Sequence, residues 1–287
     1  MRGLIIKGIG GFYYVKTADG VFRAKGRGLL KKDGFSLAVG DYVDLEIRED
    51  GDSVINSIEE RRNAFIRPPI VNVDRFIIVA AAAKPKPNFE IIDRFLIMAE
   101  KNHTDAVICI NKADLAKKEF LENIEKIYGG VYPVVFVSAK TGDGIAELKK
   151  HISGGSIAFA GPSGVGKSTL INLLVPEANM ETGHVSTKTS RGKHTTRHVE
   201  IFESGEGRIF DTPGFTSFDI LDVEESELGS FYPEIEKYAG GCRFDDCRHL
   251  KEPDCSVRDA VEEGKISQER YKSYISNIEE IRKRKKY

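Results

Sequence analysis

The spacing of hydrophobic residues changes along the chain. Between residues 3 and 65, apolar and polar residues alternate in short stretches separated by turn signals such as Gly10-Gly11 and Ala18-Asp19-Gly20. This pattern predicts short strands. Five strands in about 60 residues are typical of a small β-barrel, with an OB-fold as the natural candidate. The predicted strands are Leu4–Ile9, Phe12–Thr17, Val21–Ala24, Tyr42–Ile47 and Ser53–Ile58.

Beyond Arg67-Pro68-Pro69 the apolar runs become continuous, as expected for parallel strands buried on both faces. Helical patterns lie between them, so this part predicts an α/β domain. Strands are predicted at Phe76–Ala82, Ala106–Ile110, Val134–Val137, His198–Glu203 and Gly207–Phe210, and helices near Phe89–Asn102, Leu115–Tyr128 and Ile145–Ile152. Residues 223–287 are charged and mostly helical. The predicted domains are 1–68, 69–222 and 223–287.

Composition excludes some classes of protein and suggests a partner. The chain has 287 residues, no apolar run of membrane-spanning length and no signal-peptide plan, so we expect a cytoplasmic protein without membrane contact. Residues 1–32 carry eight Lys or Arg against one Asp, and the chain ends in a basic run, Arg282–Lys286. Clusters of Lys and Arg at both ends of the chain favour RNA as a partner, although an ordinary solvated surface can carry the same number of basic residues. Aromatic and basic residues also interleave in the predicted barrel, as they do in barrels that bind nucleic acid. They are Phe12, Tyr13, Tyr14 and Phe22 with Lys16, Arg23 and Lys25. Some of these rings are expected only to fill the interior of the barrel.

A glycine-rich loop between a predicted strand and a predicted helix carries the strongest motif. Residues 161–168 match G-x-x-x-x-G-K-S, the phosphate-binding loop of nucleoside triphosphatases. Backbone N–H groups there wrap the phosphates, Lys167 reaches the β- and γ-phosphates, and the Ser168 hydroxyl ligates Mg²⁺. The alternative is a turn that matches by chance, which both flanks disfavour. The predicted contacts are Gly161, Pro162, Ser163, Gly164, Val165, Gly166, Lys167, Ser168 and Thr169.

Three further motifs follow apolar strands. In Asp211-Thr-Pro-Gly214, the Asp211 carboxylate can hold Mg²⁺ through water, and the Gly214 N–H can face the γ-phosphate. Asn111-Lys112-Ala113-Asp114 suits guanine, because the Asp114 carboxylate accepts from N1–H and the 2-amino group, which adenine lacks. In Ser138-Ala139-Lys140 a backbone N–H meets guanine O6. Each motif alone could be an ordinary loop.

Together these motifs resemble the guanine-nucleotide-binding GTPases, but their order differs. The guanine motifs precede the phosphate loop, so the order is G4-G5-G1-G2-G3, as a circular permutation produces. A circularly permuted GTPase behind an OB-like barrel and before a Cys/His cluster resembles the RsgA (YjeQ/YloQ) family of ribosome small-subunit-dependent GTPases. The resemblance covers essentially the whole chain. It implies GTP hydrolysis stimulated by the 30S subunit, a role in its late maturation, and contacts of the barrel and the C-terminal domain with 16S rRNA.

Switch I is predicted at 191–197, between the phosphate-loop helix and the next strand. Thr196 is our first choice for closing over Mg²⁺ and the γ-phosphate, with Thr195 as the alternative. Many GTPases place a water-orienting Gln after the D-x-x-G motif, but Phe215 stands there. We therefore expect His194, to which the family resemblance also points, to position the water. The alternatives are that His194 contacts RNA, or that the segment is an ordinary basic loop.

The C-terminal region contains a candidate metal site. Cys242-x₄-Cys247-x-His249-x₅-Cys255 offers three thiolates and an imidazole, which suit a closed, structural Zn²⁺ site. The spacing is not the commoner C-x-x-C pair, but the family resemblance implies zinc at this motif. Cys109 lies alone in an apolar strand and is expected to be core.

The sequence therefore predicts a GTPase that binds GTP or GDP together with Mg²⁺, which Ser168, Thr196 and Asp211 hold. Its expected partners are the 30S subunit and 16S rRNA, and the protein is expected to be a monomer. One alternative is an RNA-binding module with a static guanine-nucleotide site and negligible hydrolysis. Another is an ATP-using P-loop enzyme, which Asp114 disfavours.

Overall fold

The structure is a computed structural model that describes residues 1–28, 36–48, 52–66, 68–178, 199–205, 207–211 and 223–284. The chain divides into two compact units. The first comprises Met1–Phe76, Lys149–Phe159 and Lys167–Phe215, and the second comprises Ile77–Leu148, Ala160–Gly166 and Thr216–Tyr287. The domain boundaries predicted at 68/69 and 222/223 stay predictions.

The described residues contain thirteen strands and seven α-helices. The strands are β1 Arg2–Ile9, β2 Phe12–Thr17, β3 Gly20–Gly26, β4 Tyr42–Glu46, β5 Ser53–Ile58, β6 Ala64–Phe65, β7 Ile70–Val71, β8 Arg75–Ala81, β9 Asp105–Asn111, β10 Val134–Phe136, β11 Ser156–Ala160, β12 Glu200–Ser204 and β13 Gly207–Asp211. The helices are α1 Phe89–Lys101, α2 Lys118–Tyr128, α3 Ile145–Lys150, α4 Lys167–Leu174, α5 Pro233–Ala239, α6 Ser256–Glu262 and α7 Gln268–Arg284.

The first five strands form the predicted barrel. β1 pairs antiparallel with β2, β2 with β3 and β4 with β5; β3 pairs parallel with β5, and β1–β4 pairing completes the ring. Alternation sends every second side chain inward in β4, whereas β1, which has a register shift between Ile5 and Lys7, buries adjacent residues. The interior is filled by small and branched apolar residues: Leu4, Ile5, Val15, Ala24, Val43, Leu45 and Ile55.

The rest of the first unit extends from the barrel through β12. β1 pairs with β12 at Lys7 and Glu200, whose side chains also form an ion pair of 2.6 Å. β12 pairs antiparallel with β13, and β13 pairs parallel with β11. β11 ends just before the phosphate loop, and α4 begins just after it. The barrel and the helix that carries Lys167 and Ser168 therefore belong to one unit.

The second unit combines strands of the α/β part with the C-terminal helices. β10 pairs parallel with β9, whose other neighbour is β8. Helix α1 buries seven of its residues, and one of them, Ile97, belongs to the apolar cluster that fills the C-terminal region. That cluster includes Tyr232, Val257, Tyr274 and Ile278. Residues 223–284 therefore share a core with α1.

None of the helices described is both long and apolar enough to cross a membrane.

Candidate functional site

Asn111 joins the three predicted nucleotide motifs that lie in the second unit. It ends β9 and is buried. Its Nδ2 donates to the Val165 carbonyl in the phosphate loop at 2.8 Å. Its Oδ1 accepts from the Lys112 N–H at 2.8 Å and from the Ala139 N–H at 3.1 Å. One amide thus connects N-K-A-D, S-A-K and the phosphate loop.

Lys112 forms a second link between the guanine motif and the phosphate loop. Its backbone is left-handed, with a φ of 60°, and its Nζ donates to the Gly164 carbonyl at 3.0 Å. The same Nζ donates to the Lys84 carbonyl. The side chain therefore extends from the guanine motif to the phosphate loop. Asp114 is exposed in the 3₁₀ turn Ala113–Leu115. Ser138 is buried, and its Oγ accepts from the Thr141 N–H at 3.2 Å, which shapes the loop that carries Lys140.

Two glycines of the phosphate loop stand where no side chain fits. Gly161 has a φ of +135°, and a Cβ there would lie 2.1 Å from the Val79 carbonyl oxygen. Gly166 has a φ of +99°, and a Cβ there would lie 2.3 Å from Asn111 Nδ2. Both positions require glycine for conformation and for space. The loop is thus packed against β8 and against Asn111.

The predicted phosphate and Mg²⁺ residues of the first unit lie at the ends of regular elements. Lys167 and Ser168 begin α4, and Asp211 ends β13. Burial lowers the pKa of Lys167 to about 8. Burial disfavours the charged ammonium group, so an anion bound beside it would stabilise the charge. Thr169 is exposed on the same helix.

Several predicted site residues lie outside the described residues. These are His194, Thr195, Thr196 and Gly214, together with Phe215. Their predicted roles in switch I and in the D-T-P-G motif stay predictions.

The four predicted metal ligands come together in the C-terminal region. The donor atoms of Cys242, Cys247, His249 and Cys255 all lie within 4.8 Å of one another. His249 Nδ1 is 3.5 Å from the sulfur of Cys242 and 3.5 Å from that of Cys255, and these two sulfurs are 3.8 Å apart. The group is consistent with a metal site. Burial lowers the pKa of His249, which favours the neutral imidazole that a metal binds.

The C-terminal helix supports this cluster through contacts that the sequence pattern concealed. The Tyr271 hydroxyl donates to the His249 carbonyl at 2.5 Å, and the Tyr274 hydroxyl donates to the Arg248 carbonyl at 3.0 Å. In the sequence, Tyr271 and Tyr274 stand at helical spacing with Ile275, Ile278 and Ile281, which predicts only an apolar helix face. Their hydroxyls were the available signal, since a buried phenol usually finds a hydrogen-bond partner.

The barrel presents part of the predicted aromatic and basic face. Phe12 is half-buried, and its ring centroid lies 4.8 Å from the Arg23 guanidinium carbon and 4.4 Å from Lys25 Nζ. Asp52 pairs with both cations. Lys16 pairs with Glu203 of β12 at 2.5 Å. The barrel thus exposes cations beside an aromatic ring, although glutamate and aspartate offset some of the charge.

The chain is similar to proteins of one family along nearly its whole length. Residues 58–221 match the RsgA GTPase family, and residues 2–55 match the RsgA N-terminal domain. A protein of Clostridium perfringens (strain SM101 / Type A) is 44% identical over 282 residues, which cover 98% of each chain. One of Alkaliphilus metalliredigens is 43% identical over 290 residues, which cover 100% of this chain and 99% of the relative. Both relatives are named small ribosomal subunit biogenesis GTPase RsgA.

Two solved structures share the fold over nearly the full chain. YjeQ from Thermotoga maritima has a TM-score of 0.86 and 35% identity, and the match covers 98% of both chains. YloQ, described as a circularly permuted GTPase, has a TM-score of 0.84 and 37% identity, covering 99% of this chain and 95% of that one. The unusual motif order is therefore shared with a solved GTPase.

Proposed function

The chain belongs to the RsgA family of small ribosomal subunit biogenesis GTPases, and from this membership we propose that it hydrolyses GTP on the 30S subunit during late maturation of that subunit. The observation that carries the proposal is the amide of Asn111. It fixes a guanine-recognition loop against the phosphate loop within one compact unit. Asp114 in the same loop disfavours the alternative of an ATP-using P-loop enzyme, because adenine lacks the groups that donate to this carboxylate.

In the proposed nucleotide site, Asp114 accepts from N1–H and the 2-amino group of guanine. The 138–140 segment meets O6, and Lys112 covers the base. The phosphates lie in the loop 161–166 and at the start of α4, where backbone N–H groups and Lys167 neutralise their charge. Ser168, Asp211 and Thr196, or Thr195 in its place, hold Mg²⁺, which neutralises charge on the β- and γ-phosphate oxygens.

In the proposed hydrolysis, His194 orients the water that attacks the γ-phosphate. Phe215 has no polar atom in its side chain for this task. Since switch segments order on binding, we propose that the 30S subunit brings His194 into place and thereby raises the rate.

In the proposed C-terminal domain, residues 242–255 hold one structural Zn²⁺. Tetrahedral bonds of about 2.3 Å to sulfur and about 2.0 Å to nitrogen place two sulfurs about 3.8 Å apart, and a sulfur about 3.5 Å from a nitrogen. The cluster has separations of 3.8 Å and 3.5 Å for these pairs. All four ligands come from protein, which supports a structural role and leaves no position for a substrate.

The remaining proposals concern organisation and partners. We propose domains at 1–68, 69–222 and 223–287, with the barrel and the C-terminal domain in contact with 16S rRNA. Cations beside Phe12 support the barrel contact, because such rings stack on bases while the cations meet phosphates. The protein works as a monomer in the cytoplasm.

The proposed function is tested by GTP turnover of the full chain alone and with 30S subunits, 50S subunits or free 16S rRNA. We expect slow basal hydrolysis, strong stimulation by 30S subunits, and no comparable stimulation by 50S subunits or free 16S rRNA. The alternative of a static guanine-nucleotide site predicts tight GTP binding with no stimulation by any of the three.

The role of His194 is tested in the same assay with His194→Ala. This variant should bind GTP and 30S subunits as the unaltered protein does, but lose most of the stimulated rate. Stimulated turnover that survives in His194→Ala would show that another group orients the water.

A further inference from the structure

A buried arginine connects the C-terminal helix to α1 of the α/β part. Arg270, on α7, is 1% exposed. Its Nη1 donates to Asp93 on α1 at 2.6 Å, and its Nε and Nη2 donate to Glu234 on α5 at 2.6 and 3.1 Å. A buried guanidinium is stable only when its charge is neutralised and its hydrogen bonds are made. The carboxylates of Asp93 and Glu234 do both here.

Aromatic rings enclose this charged group. The guanidinium carbon lies 4.5 Å from the ring centroid of Tyr232 and 5.6 Å from those of Tyr128 and Tyr132. The Tyr128 hydroxyl donates to Asp93 at 3.0 Å, and the Phe89 ring meets the Tyr128 ring edge-on at 6.2 Å. The first turns of α1 are therefore held by α7 and by the end of α2.

The segment that leads into α1 braces the predicted guanine loop. The Ala82 N–H donates to the Asn111 carbonyl at 2.7 Å. The Lys84 carbonyl accepts from Lys112 Nζ, which also donates to Gly164 in the phosphate loop. Only four residues separate Lys84 from Phe89, where α1 begins. A shift of the start of α1 would therefore displace an acceptor on which Lys112 depends.

We propose that Arg270 is a positioning residue for guanine recognition, acting through α1 and the 82–88 segment on Lys112 and its neighbour Asp114. The inference rests on the proposed function, since it assumes that guanine binds beside Asp114. It links the Cys/His domain to nucleotide affinity. By thermodynamic linkage, a partner that displaces α7 also changes the affinity for guanine nucleotide, and the nucleotide changes the affinity for that partner by the same factor.

The test measures the dissociation constants of GDP and inosine diphosphate (IDP) by calorimetry, for the full chain and for Arg270→Met. IDP lacks the 2-amino group that Asp114 is expected to bind, so the affinity ratio of the two nucleotides reports the position of this carboxylate. In Arg270→Met, GDP binding should weaken by about fivefold or more, the lower range of typical coupling between sites. The preference for GDP over IDP should fall.

The matched control is Arg282→Met, which removes a half-exposed arginine of the same helix that pairs with Glu225 at 2.6 Å. It should retain both dissociation constants. Tyr128→Phe keeps the buried ion pairs and removes only the hydroxyl contact with Asp93, so it tests the same linkage if Arg270→Met fails to fold. It should reduce the GDP/IDP ratio by a smaller factor.

A merely structural role for Arg270 predicts a lower unfolding temperature with an unchanged GDP/IDP ratio in every folded variant, and that result would overturn the inference. ADP is titrated alongside these two nucleotides, and if the unaltered chain does not prefer GDP to ADP, the proposed function fails instead. The two failures are therefore distinguishable.

Discussion

Asn111 uses both ends of its amide in a buried position. The nitrogen donates to a carbonyl, and the oxygen accepts from two N–H groups. An aspartate there would set a carboxylate oxygen against the Val165 carbonyl, and an alanine would leave these buried groups unsatisfied, at a cost of about 1–3 kcal/mol for each one. The residue therefore fixes the predicted guanine loop and the phosphate loop relative to each other.

With Lys167 at the phosphates, as proposed, we expect the nucleotide affinity to depend on pH. Burial lowers its pKa to about 8, and phosphates bound beside the ammonium group must raise it. Below pH 8 the free protein already holds the proton, so the affinity for GDP is flat. As pH rises above 8, binding requires proton uptake, and the dissociation constant should increase by up to about tenfold per pH unit.

Calorimetric GDP titrations between pH 7 and 9 measure this effect. Lys167→Met should bind GDP more weakly and show no such rise. Lys118→Met, which alters an exposed lysine on α2, should keep the pH profile of the unaltered protein. A flat profile up to pH 9 in the unaltered protein would contradict the assignment of Lys167 to the phosphates.

Among the elements, the Cys/His cluster and α7 depend on each other. The hydroxyls of Tyr271 and Tyr274 hold the backbone at His249 and Arg248, and both rings pack in the same apolar cluster. In the proposed zinc site, ligation by Cys242, Cys247, His249 and Cys255 would fix the same loop from the other side. We therefore expect the metal and the helix together to order residues 242–255.

We expect one zinc per chain in the unaltered protein. Cys255→Ser should therefore contain far less zinc and unfold at a lower temperature. Cys255 precedes α6 and is buried, so loss of the ligand also loosens the start of that helix. Metal analysis of the purified variant, with thermal unfolding, measures both effects. Cys109→Ala, which alters a buried cysteine of β9 outside the cluster, should retain the zinc. Full zinc content in Cys255→Ser would exclude this residue as a ligand.

Local patterns were sufficient for most strands and for the three-part architecture. The barrel strands, β8 to β10 and α1 lie within a residue or two of their predicted bounds. The helix predicted at Leu115–Tyr128 begins instead at Lys118, because the chain first makes the 3₁₀ turn that carries Asp114. Periodicity alone does not separate a 3₁₀ turn from the first turn of an α-helix.

The buried polar network could not be predicted in the same way. Arg270 and Asp93 are 177 residues apart, and each looks like an ordinary charged residue on an amphipathic helix. Their pairing depends on how α7 packs against α1, which no local pattern specifies. The Cys/His cluster was predictable because ligand types and spacing carry the chemistry within 14 residues, from Cys242 to Cys255.

At the scale of the whole molecule, each compact unit combines parts from more than one predicted domain. In the first unit, β1 of the barrel pairs with β12, which begins just after the predicted switch I segment. A ribosomal partner that binds the barrel therefore contacts a body that includes this strand. In the second unit, the C-terminal region shares its core with α1. The C-terminal region is thus built into the part that carries the guanine motifs.

We expect Asp114 to select the base and the 30S subunit to activate hydrolysis by this chain. The most direct test is hydrolysis of xanthosine triphosphate by Asp114→Asn, because xanthine carries a carbonyl where guanine carries the 2-amino group. An asparagine can donate to that carbonyl from its amide nitrogen and accept from N1–H with its amide oxygen. We expect Asp114→Asn to hydrolyse xanthosine triphosphate rapidly with 30S subunits and slowly without them, and to have lost activity on GTP. If xanthosine triphosphate binds to the variant but 30S subunits do not stimulate its hydrolysis, activation of this chain by the 30S subunit is wrong.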